Sequence, residues 1–199
     1  FFSGGKGQYL VKNKKMTAPS FDSFGWLWVA ESDGAVRAYN AASTNEKERS
    51  KGIEIPVSWR SGMTFSSLRI SHDGARVVVV GTRDGTAAVV MSGVVRDSSG
   101  TPKGFTEPVR VTSSITPRTA VWAGEQNLVV VNDKTGESEV TTLSGEETKF
   151  DRLDGVKSVS AAGNTSNMLA HRSDGSCYVL EERGWNRLNT STREMSFAG

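Results

Sequence analysis

Residues 65–95 read FSSLRISHDGARVVVVGTRDGTAAVVMSGVV, and this stretch decides the fold. An alternating segment leads into a polar turn at residues 71–74, and the valine run at 77–80 then leads to a tight turn at Asp84-Gly85. Apolar runs that end at Asp-Gly are typical of β-hairpins, because both residues tolerate the positive φ that a two-residue turn needs. A run of four valines also needs apolar cover on both faces. The stretch therefore predicts antiparallel strands that are packed between neighbouring sheets.

The same hairpin pattern occurs four times along the chain. The turn glycines lie 51, 51 and 39 residues apart, at Gly34, Gly85, Gly136 and Gly175. Each interval holds about four short strands, which is the content of one blade of a β-propeller. We therefore expect an all-β propeller built of four-stranded antiparallel blades.

The blades can be placed approximately on the sequence. We expect one domain over residues 1–199, with blades at 18–59, 65–111, 119–153 and 156–188. Residues 8–11, QYLV, have the pattern of an outer strand from an earlier blade. Because the chain begins with Phe1 rather than Met, we expect it to be the C-terminal part of a longer protein that carries the missing blade or blades of an incomplete ring.

Details within the blades also follow from the pattern. Phe21 is expected at the strand position that Ile70 takes in the second blade. Residues 105–111 are predicted to form the fourth strand of that blade. The polar segments 41–52 and 97–104 are predicted to be loops that are exposed to solvent.

Composition excludes several classes of function. The 199 residues are 36% hydrophobic and 23% charged, with a formal net charge of +2. This charge is too small to indicate nucleic-acid binding, which needs basic residues gathered on one face. The apolar runs are also far shorter than the roughly 20 residues that span a bilayer.

Residues with catalytic or metal-binding chemistry are few. The two histidines, His72 and His171, flank turns of different blades, so that a zinc site is not expected. Ser71, His72 and Asp73 are consecutive and cannot align as a catalytic triad, which brings its members from separate elements. The single cysteine, Cys177, is read as a small buried strand residue rather than a reactive thiol. The residues thus predict a protein that is not an enzyme and has no cofactor or metal.

The five tryptophans divide into two groups. Trp26, Trp28 and Trp122 lie in or beside apolar strands and are expected in the core between blades. Trp59 and Trp185 lie near fourth strands and are our candidates for a partner-binding surface.

Five segments in this order resemble a known family. They are PSFD at residues 19–22, GWLWV at 25–29, LRISHDGARV at 68–77, GVVRD at 93–97 and VW at 121–122. Together they resemble the C-terminal β-propeller domain of the actinobacterial lipoprotein LpqB family, and the likeness covers residues 7–188. The Ser-x-Asp-Gly turn alone is shared by many TolB-like propellers, so the order of the segments carries the resemblance.

The resemblance implies a function that the residues alone do not reveal. It implies an extracytoplasmic lipoprotein of the cell membrane, whose signal peptide and lipid anchor lie upstream of this chain. It also implies association with the extracellular domain of an MtrB-like sensor kinase of a two-component system, and modulation of its signalling.

Two classes of function therefore stay open, with a hydrolase as a weaker third. The first is a protein-interaction module, which needs an exposed patch on a face or rim. The alternative is a propeller that binds a small ligand or a cell-wall saccharide, which needs a pocket with convergent polar groups.

Overall fold

The computed structural model describes residues 15–31, 34–143, 147–161, 168–181 and 184–188. These residues form four antiparallel sheets, which confirms the predicted all-β propeller fold. The chain divides into two compact units, Phe1–Arg110 and Val111–Gly199. Each unit contains two of the sheets.

The first sheet has its strands in sequence order. They are β1 (Ser20–Phe21), β2 (Trp26–Ala30), β3 (Val36–Asn40) and β4 (Ile53–Ile55). Trp28 of β2 lies opposite Ser20 of β1 and Ala38 of β3. Alternate side chains of β2 point into the core, since Trp26 and Trp28 are both buried as predicted.

The second sheet completes the first unit. Its strands are β5 (Thr64–Ile70), β6 (Arg76–Arg83), β7 (Thr86–Arg96) and β8 (Pro102–Phe105), and β9 (Val109–Val111) also pairs with β7. The tight turn between β6 and β7 has the predicted positive φ at Asp84 (49°) and Gly85 (76°). The segment predicted as one fourth strand, 105–111, is divided between β8 and β9, which both pair with β7. The predicted loop 97–104 is shorter than expected, because a tight turn after Arg96 brings Pro102 into the sheet.

The second unit contains the third and fourth sheets. The third has β10 (Thr119–Ala123), β11 (Asn127–Asn132), β12 (Glu137–Thr142) and β13 (Glu147–Arg152). The fourth has β14 (Val156–Ala161), β15 (Met168–Arg172), β16 (Cys177–Glu181) and β17 (Gly184–Arg187). Both keep the sequence order of their strands, as simple up-and-down meanders do.

Apolar packing between sheets forms the core of each unit. In the first unit, Trp28 and Ile55 of one sheet pack with Leu68, Val77 and Val79 of the next, and all five are essentially inaccessible to solvent. The valine run of β6 is buried along its whole length, so the predicted cover on both faces is confirmed. In the second unit, strands β11 and β12 supply valines and the fourth sheet supplies aliphatic side chains.

One predicted loop contains a helix. Residues 41–52 were expected to be irregular, but α1 (Glu46–Lys51) forms within them. The Asn45 side chain caps the helix by accepting a hydrogen bond from the Lys47 amide, acidic residues occupy the first turn and basic residues the last. Local capping thus stabilises a helix whose residues bury no apolar side chain.

Part of the predicted organisation stays a prediction. Residues 8–11, expected to be a strand of an earlier blade, and Asp33, the partner of Gly34, lie outside the described residues. That residues 1–199 form one domain with the stated blade ranges is likewise not tested by the fold. Among the described helices, none is long and apolar enough to cross a membrane.

Gly52 joins α1 to β4 and provides a test of this arrangement. Its φ of 61° and ψ of 154° lie in a region that is essentially restricted to glycine, where other residues cost about 1–3 kcal/mol. A Cβ there would lie 2.5 Å from Tyr39 Cε1. We expect Gly52→Ala to lower the free energy of unfolding by about 2–3 kcal/mol, measured by urea denaturation.

Gly62→Ala is the matched control for this substitution. Gly62 also has a positive φ, 70°, but a Cβ at this position would have nothing within 4 Å. We expect it to cost about 1 kcal/mol, from the backbone alone. An equal loss of unfolding free energy in the two variants would show that the close approach of the added Cβ at position 52 to the Tyr39 ring is unimportant.

Candidate functional site

A buried carboxylate lies at one end of the first unit, in the turn between β1 and β2. Asp22 Oδ1 accepts hydrogen bonds from the amides of Phe24 (2.9 Å) and Trp26 (3.0 Å). Asp22 Oδ2 accepts from Trp28 Nε1 (2.9 Å) and from Arg96 Nη2 (2.7 Å). Both oxygens are fully engaged, so this carboxylate is a structural group without a free lone pair for proton transfer.

Arg96 connects this turn to the second sheet. Its Nη1 donates to the Gly100 carbonyl (2.9 Å) and its Nη2 also donates to the Gly74 carbonyl (3.2 Å). The guanidinium carbon lies 4.6 Å from the centroid of the Phe24 ring, a cation–π contact. One guanidinium thus joins the turns of both sheets. We call Asp22 and Arg96, with the groups that they bind, the Asp22 brace.

Two aromatic side chains beside the brace are exposed. Phe21 is 61% exposed and Phe24 is 55% exposed, although both are large apolar residues. Phe21 pairs with Leu27, six residues away, whereas Ile70 pairs with Val77, seven residues away. Phe21 ends β1 as Ile70 ends β5, and a glycine with positive φ follows four residues later in both, as predicted. The connection to the next strand is one residue shorter after Phe21, and Phe21 is exposed whereas Ile70 is buried.

The two tryptophans predicted to bind a partner are half-buried and lie in different units. Trp59 follows β4, and its ring lies 6.1 Å from Phe65 and 6.4 Å from Phe105 between ring centroids. Trp185 lies on β17 and packs against the core of the second unit. Most of each ring thus contributes to packing, and a partner-binding role for either stays a prediction.

A cavity of about 320 Å³ lies beside α1 in the first unit. Its apolar wall comes from the first sheet and its polar groups come from β3, α1 and the turn before β8. The lining residues are Trp26, Ala38, Asn40, Glu48, Lys51, Gly52, Ile53 and Thr101. We call it the α1 cavity. The sequence did not indicate it, because residues 41–52 read as a solvated loop.

The consecutive Ser71, His72 and Asp73 form a turn and not a triad. The Ser71 hydroxyl donates to Asp73 Oδ1 (2.6 Å) and accepts from the Arg76 amide (3.0 Å), while His72 is exposed. His171 is exposed on β15 in the other unit. Within the described ranges, no three His, Cys, Asp or Glu side chains are grouped to hold a metal ion.

Cys177 is less buried than the sequence suggested. It lies on β16, as expected for a strand residue, but the structure leaves it half-exposed and unpaired as a thiol.

The second unit buries a carboxylate in another way. Glu139 of β12 is inaccessible to solvent, and it accepts hydrogen bonds from the hydroxyls of Ser113 (2.6 Å) and Ser114 (2.5 Å) and from the Ser114 amide (2.9 Å). Arg152 in turn donates to the Ser114 hydroxyl. Sequence reasoning missed this cluster, because a lone glutamate in a strand usually faces solvent.

The turn after Arg96 is organised by a third carboxylate. Asp97 Oδ1 accepts from the Ser99 hydroxyl (2.6 Å) and from the amides of Ser99 (2.9 Å) and Thr101 (3.1 Å). The Ser99 hydroxyl is the main cause that lowers the pKa of Asp97 to about 2. The carboxylate therefore stays charged at neutral pH and fixes the turn that carries Thr101 into the α1 cavity.

The chain matches a known protein family over nearly its whole length. The family model described as "Lipoprotein LpqB beta-propeller domain" matches residues 2–195, which confirms the resemblance found in the sequence. A similar curated protein is Lipoprotein LpqB of Streptomyces avermitilis, 27% identical over 131 residues, which are 63% of this chain and 21% of that protein. The chain thus spans about a fifth of that relative's length.

A solved structure with similarity to this chain is an acylaminoacyl peptidase in complex with Z-Gly-Gly-Phe-chloromethyl ketone. The match has a TM-score of 0.49 and 11% sequence identity, and it covers 88% of this chain and 32% of that chain.

The Asp22 brace can be tested by removing its charge. We expect Asp22→Asn to lower the free energy of unfolding by about 3–5 kcal/mol, because it leaves the Arg96 guanidinium without its buried anion. The measurement is urea denaturation followed by tryptophan fluorescence. The control is Asp133→Asn, which removes a 2.8 Å ion pair with Arg118 in which both side chains are largely exposed, with an expected loss below about 1 kcal/mol. A small, equal loss in both variants would contradict the brace.

The turn at Asp97 predicts a measurable titration. NMR of the side-chain carboxyl should give a pKa of about 2, below the usual 3.8. Since the pKa is lowered in the folded state, the turn's contribution to stability is present above pH 3.8 and is lost as the pH falls through about 2. Ser99→Ala should raise the pKa, and Ser98→Ala, at an exposed neighbour in the same turn, should not. An unchanged pKa in Ser99→Ala would refute the assigned cause.

Proposed function

The chain belongs to the lipoprotein LpqB β-propeller domain family, and we propose that it is a non-enzymatic protein-interaction module of an LpqB-like lipoprotein. The observation that carries the proposal is the pair of exposed phenylalanines held beside the Asp22 brace. Large aromatic side chains that are exposed together are typical of surfaces that bind a partner.

The brace makes these side chains suitable as anchors. The backbone of the turn is fixed through Asp22 Oδ1, and the Phe24 ring rests on the Arg96 guanidinium. Because the turn is already ordered, binding there loses little conformational entropy. An ordered aromatic anchor is the kind of residue that dominates binding energy in protein interfaces.

The proposed partner is the extracellular domain of an MtrB-like sensor kinase. This partner class comes from the family resemblance, and the family description as a lipoprotein supports an extracytoplasmic location on the membrane through an N-terminal lipid anchor. The proposed mechanism is differential binding: the propeller favours one conformation of the sensor domain, and shifts the kinase equilibrium by the difference in affinity. Trp59 and Trp185 stay secondary candidates, as half-buried aromatic residues.

The chemistry of the polar residues supports a non-enzymatic function. The Asp22 carboxylate is saturated by four hydrogen bonds, and the Ser71 hydroxyl is engaged within its own turn. Each of these groups has a structural task, which leaves it poorly suited to proton transfer or nucleophilic attack.

The α1 cavity favours a second candidate function. Its volume of about 320 Å³ is at the lower end of the range for small-molecule sites, and an indole, an amide and two opposite charges converge there. On this proposal, the domain is a propeller that binds a small ligand, with a cell-wall saccharide as one class.

Calorimetry with the purified extracellular domain of the cognate sensor kinase tests the first proposal. We expect saturable binding by the full chain, and a loss of about tenfold or more in affinity for Phe24→Ser, because an exposed ring no longer inserts into the partner. Phe21→Ser should also weaken binding. The cation–π contact with Arg96 is made by the Phe24 ring, so Phe21→Ser tests the aromatic surface without removing that contact.

Leu169→Ser is the matched control for these two variants. Leu169 is an apolar residue of the second unit that is 37% exposed, and its replacement should leave the affinity unchanged. Circular dichroism melts verify that each variant is folded. If the folded chain gives no heat with the kinase domain, the accessory function is wrong; if both phenylalanine variants bind normally, the proposed surface is wrong.

A further inference from the structure

The α1 cavity carries two opposite charges on one short helix. Glu48 and Lys51 are three residues apart on α1, and both line the cavity. Side chains at this spacing are neighbours on a helix surface, close enough to form an ion pair. Among the residues that the structure describes, however, neither is joined to a partner of opposite charge. Both charges therefore remain available to a ligand.

The orientation of the carboxylate is partly fixed. Glu48 Oε2 accepts a hydrogen bond from the Ser43 hydroxyl at 2.7 Å, which leaves Oε1 for a further donor. Lys51 lies in the last turn of α1, where a cation is favoured by the helix dipole. The helix thus presents an acceptor and a cation about one turn apart.

The other residues that line the α1 cavity carry no charge. Trp26, Ala38 and Ile53 form an apolar wall from three adjacent strands of the first sheet. Asn40, at the end of β3, brings a carboxamide that can both donate and accept hydrogen bonds. The cavity therefore has one charged side, which is neutral overall, and one apolar side.

We propose that the α1 cavity binds a small zwitterion of the amino-acid type that carries an apolar side chain. The Glu48 carboxylate receives the ligand's ammonium, the Lys51 ammonium receives its carboxylate, and the side chain lies against Trp26 and Ile53. The proposal deepens the second candidate function above, the binding of a small ligand, and does not depend on the kinase interaction.

The two charges and the volume of the α1 cavity favour a zwitterionic amino acid over other small ligands. A simple anion would be repelled by Glu48 and a simple cation by Lys51, so only a ligand with both charges gains from both residues. A cavity of about 320 Å³ accommodates one amino acid with a large side chain more readily than a long polymer segment. The indole wall favours an aromatic or branched side chain over a polar one.

Titration of the full chain with L-phenylalanine, followed by NMR, tests the proposal. We expect saturable shifts in the Trp26 indole N–H and in the amides of α1 and β4. Phenylalaninamide lacks the carboxylate and N-acetylphenylalanine lacks the ammonium, and each should bind about tenfold or more weakly, since each loses one charge pair.

Two substitutions assign each charge of the ligand to one residue. Lys51→Met should weaken the binding of phenylalanine, but should strengthen the already weak binding of phenylalaninamide, because the variant no longer repels this cation. Glu48→Gln should weaken the binding of phenylalanine, but should strengthen that of N-acetylphenylalanine, because the variant no longer repels this anion. Lys47→Met, at an exposed residue of α1 that does not line the cavity, is the matched control and should have no effect.

The outcomes separate this proposal from the others. The absence of saturable shifts at the cavity would overturn it, as would equal affinity for phenylalanine and the two analogues. Saturable shifts from a neutral saccharide in place of phenylalanine would overturn the zwitterion and retain the second candidate function. Calorimetry of the full chain with the kinase domain tests the first proposed function separately, and Lys51→Met and Glu48→Gln should not change that binding.

Discussion

The first unit depends on one buried ion pair. Asp22 and Arg96 are 74 positions apart in sequence, and their 2.7 Å contact joins a turn of the first sheet to the last residue of β7 in the second. Burying two charges is costly, and the cost is recovered only when the geometry of the pair is good and further hydrogen bonds satisfy both ions. Here the carboxylate has four donors and the guanidinium has two backbone carbonyls as well. The apolar packing of Trp28 holds the sheets together, whereas the ion pair fixes how their turns are aligned.

The second unit also buries a carboxylate, with hydroxyl and amide donors around it. Glu139 is as deeply buried as Asp22, and it accepts hydrogen bonds from two serine hydroxyls and a backbone amide, while Arg152 donates to one of these hydroxyls, that of Ser114. Repeated sheets of the same topology thus bury carboxylates with different partners. What the two clusters share is a buried carboxylate with a hydrogen-bond donor to each of its oxygens, as buried acceptors in a protein interior require.

Periodic features of the sequence predicted the fold, and features without a period were missed. The strands and their order could be predicted, because valine runs and Asp-Gly turns act locally and recur along the chain. The buried positions of Trp26, Trp28 and Trp122 followed from the same pattern. Helix α1 was missed since six residues are too few to show helical periodicity, and caps rather than an apolar face stabilise it.

The candidate site was harder to predict for a related reason. Asp22 and Arg96 both lie in segments that carry the family resemblance, but no local signal pairs a residue with another 74 positions away. The exposure of Phe21 depends on a turn that is one residue shorter than its counterpart, and a one-residue change of register alters the surroundings of a strand residue.

The two candidate functional features of the first unit share one support. Arg96 lies under the Phe24 ring through its guanidinium face, and it binds the carbonyl of Gly100, the residue before Thr101 of the α1 cavity. The exposed aromatic surface and the wall of the cavity are therefore both fixed to the same side chain, which Asp22 in turn holds in place. A ligand that moves the 97–101 turn would act on the guanidinium that carries Phe24, because the hydrogen bond and the ring contact involve the same planar group. This shared contact places Arg96, rather than either surface, at the centre of the unit's chemistry.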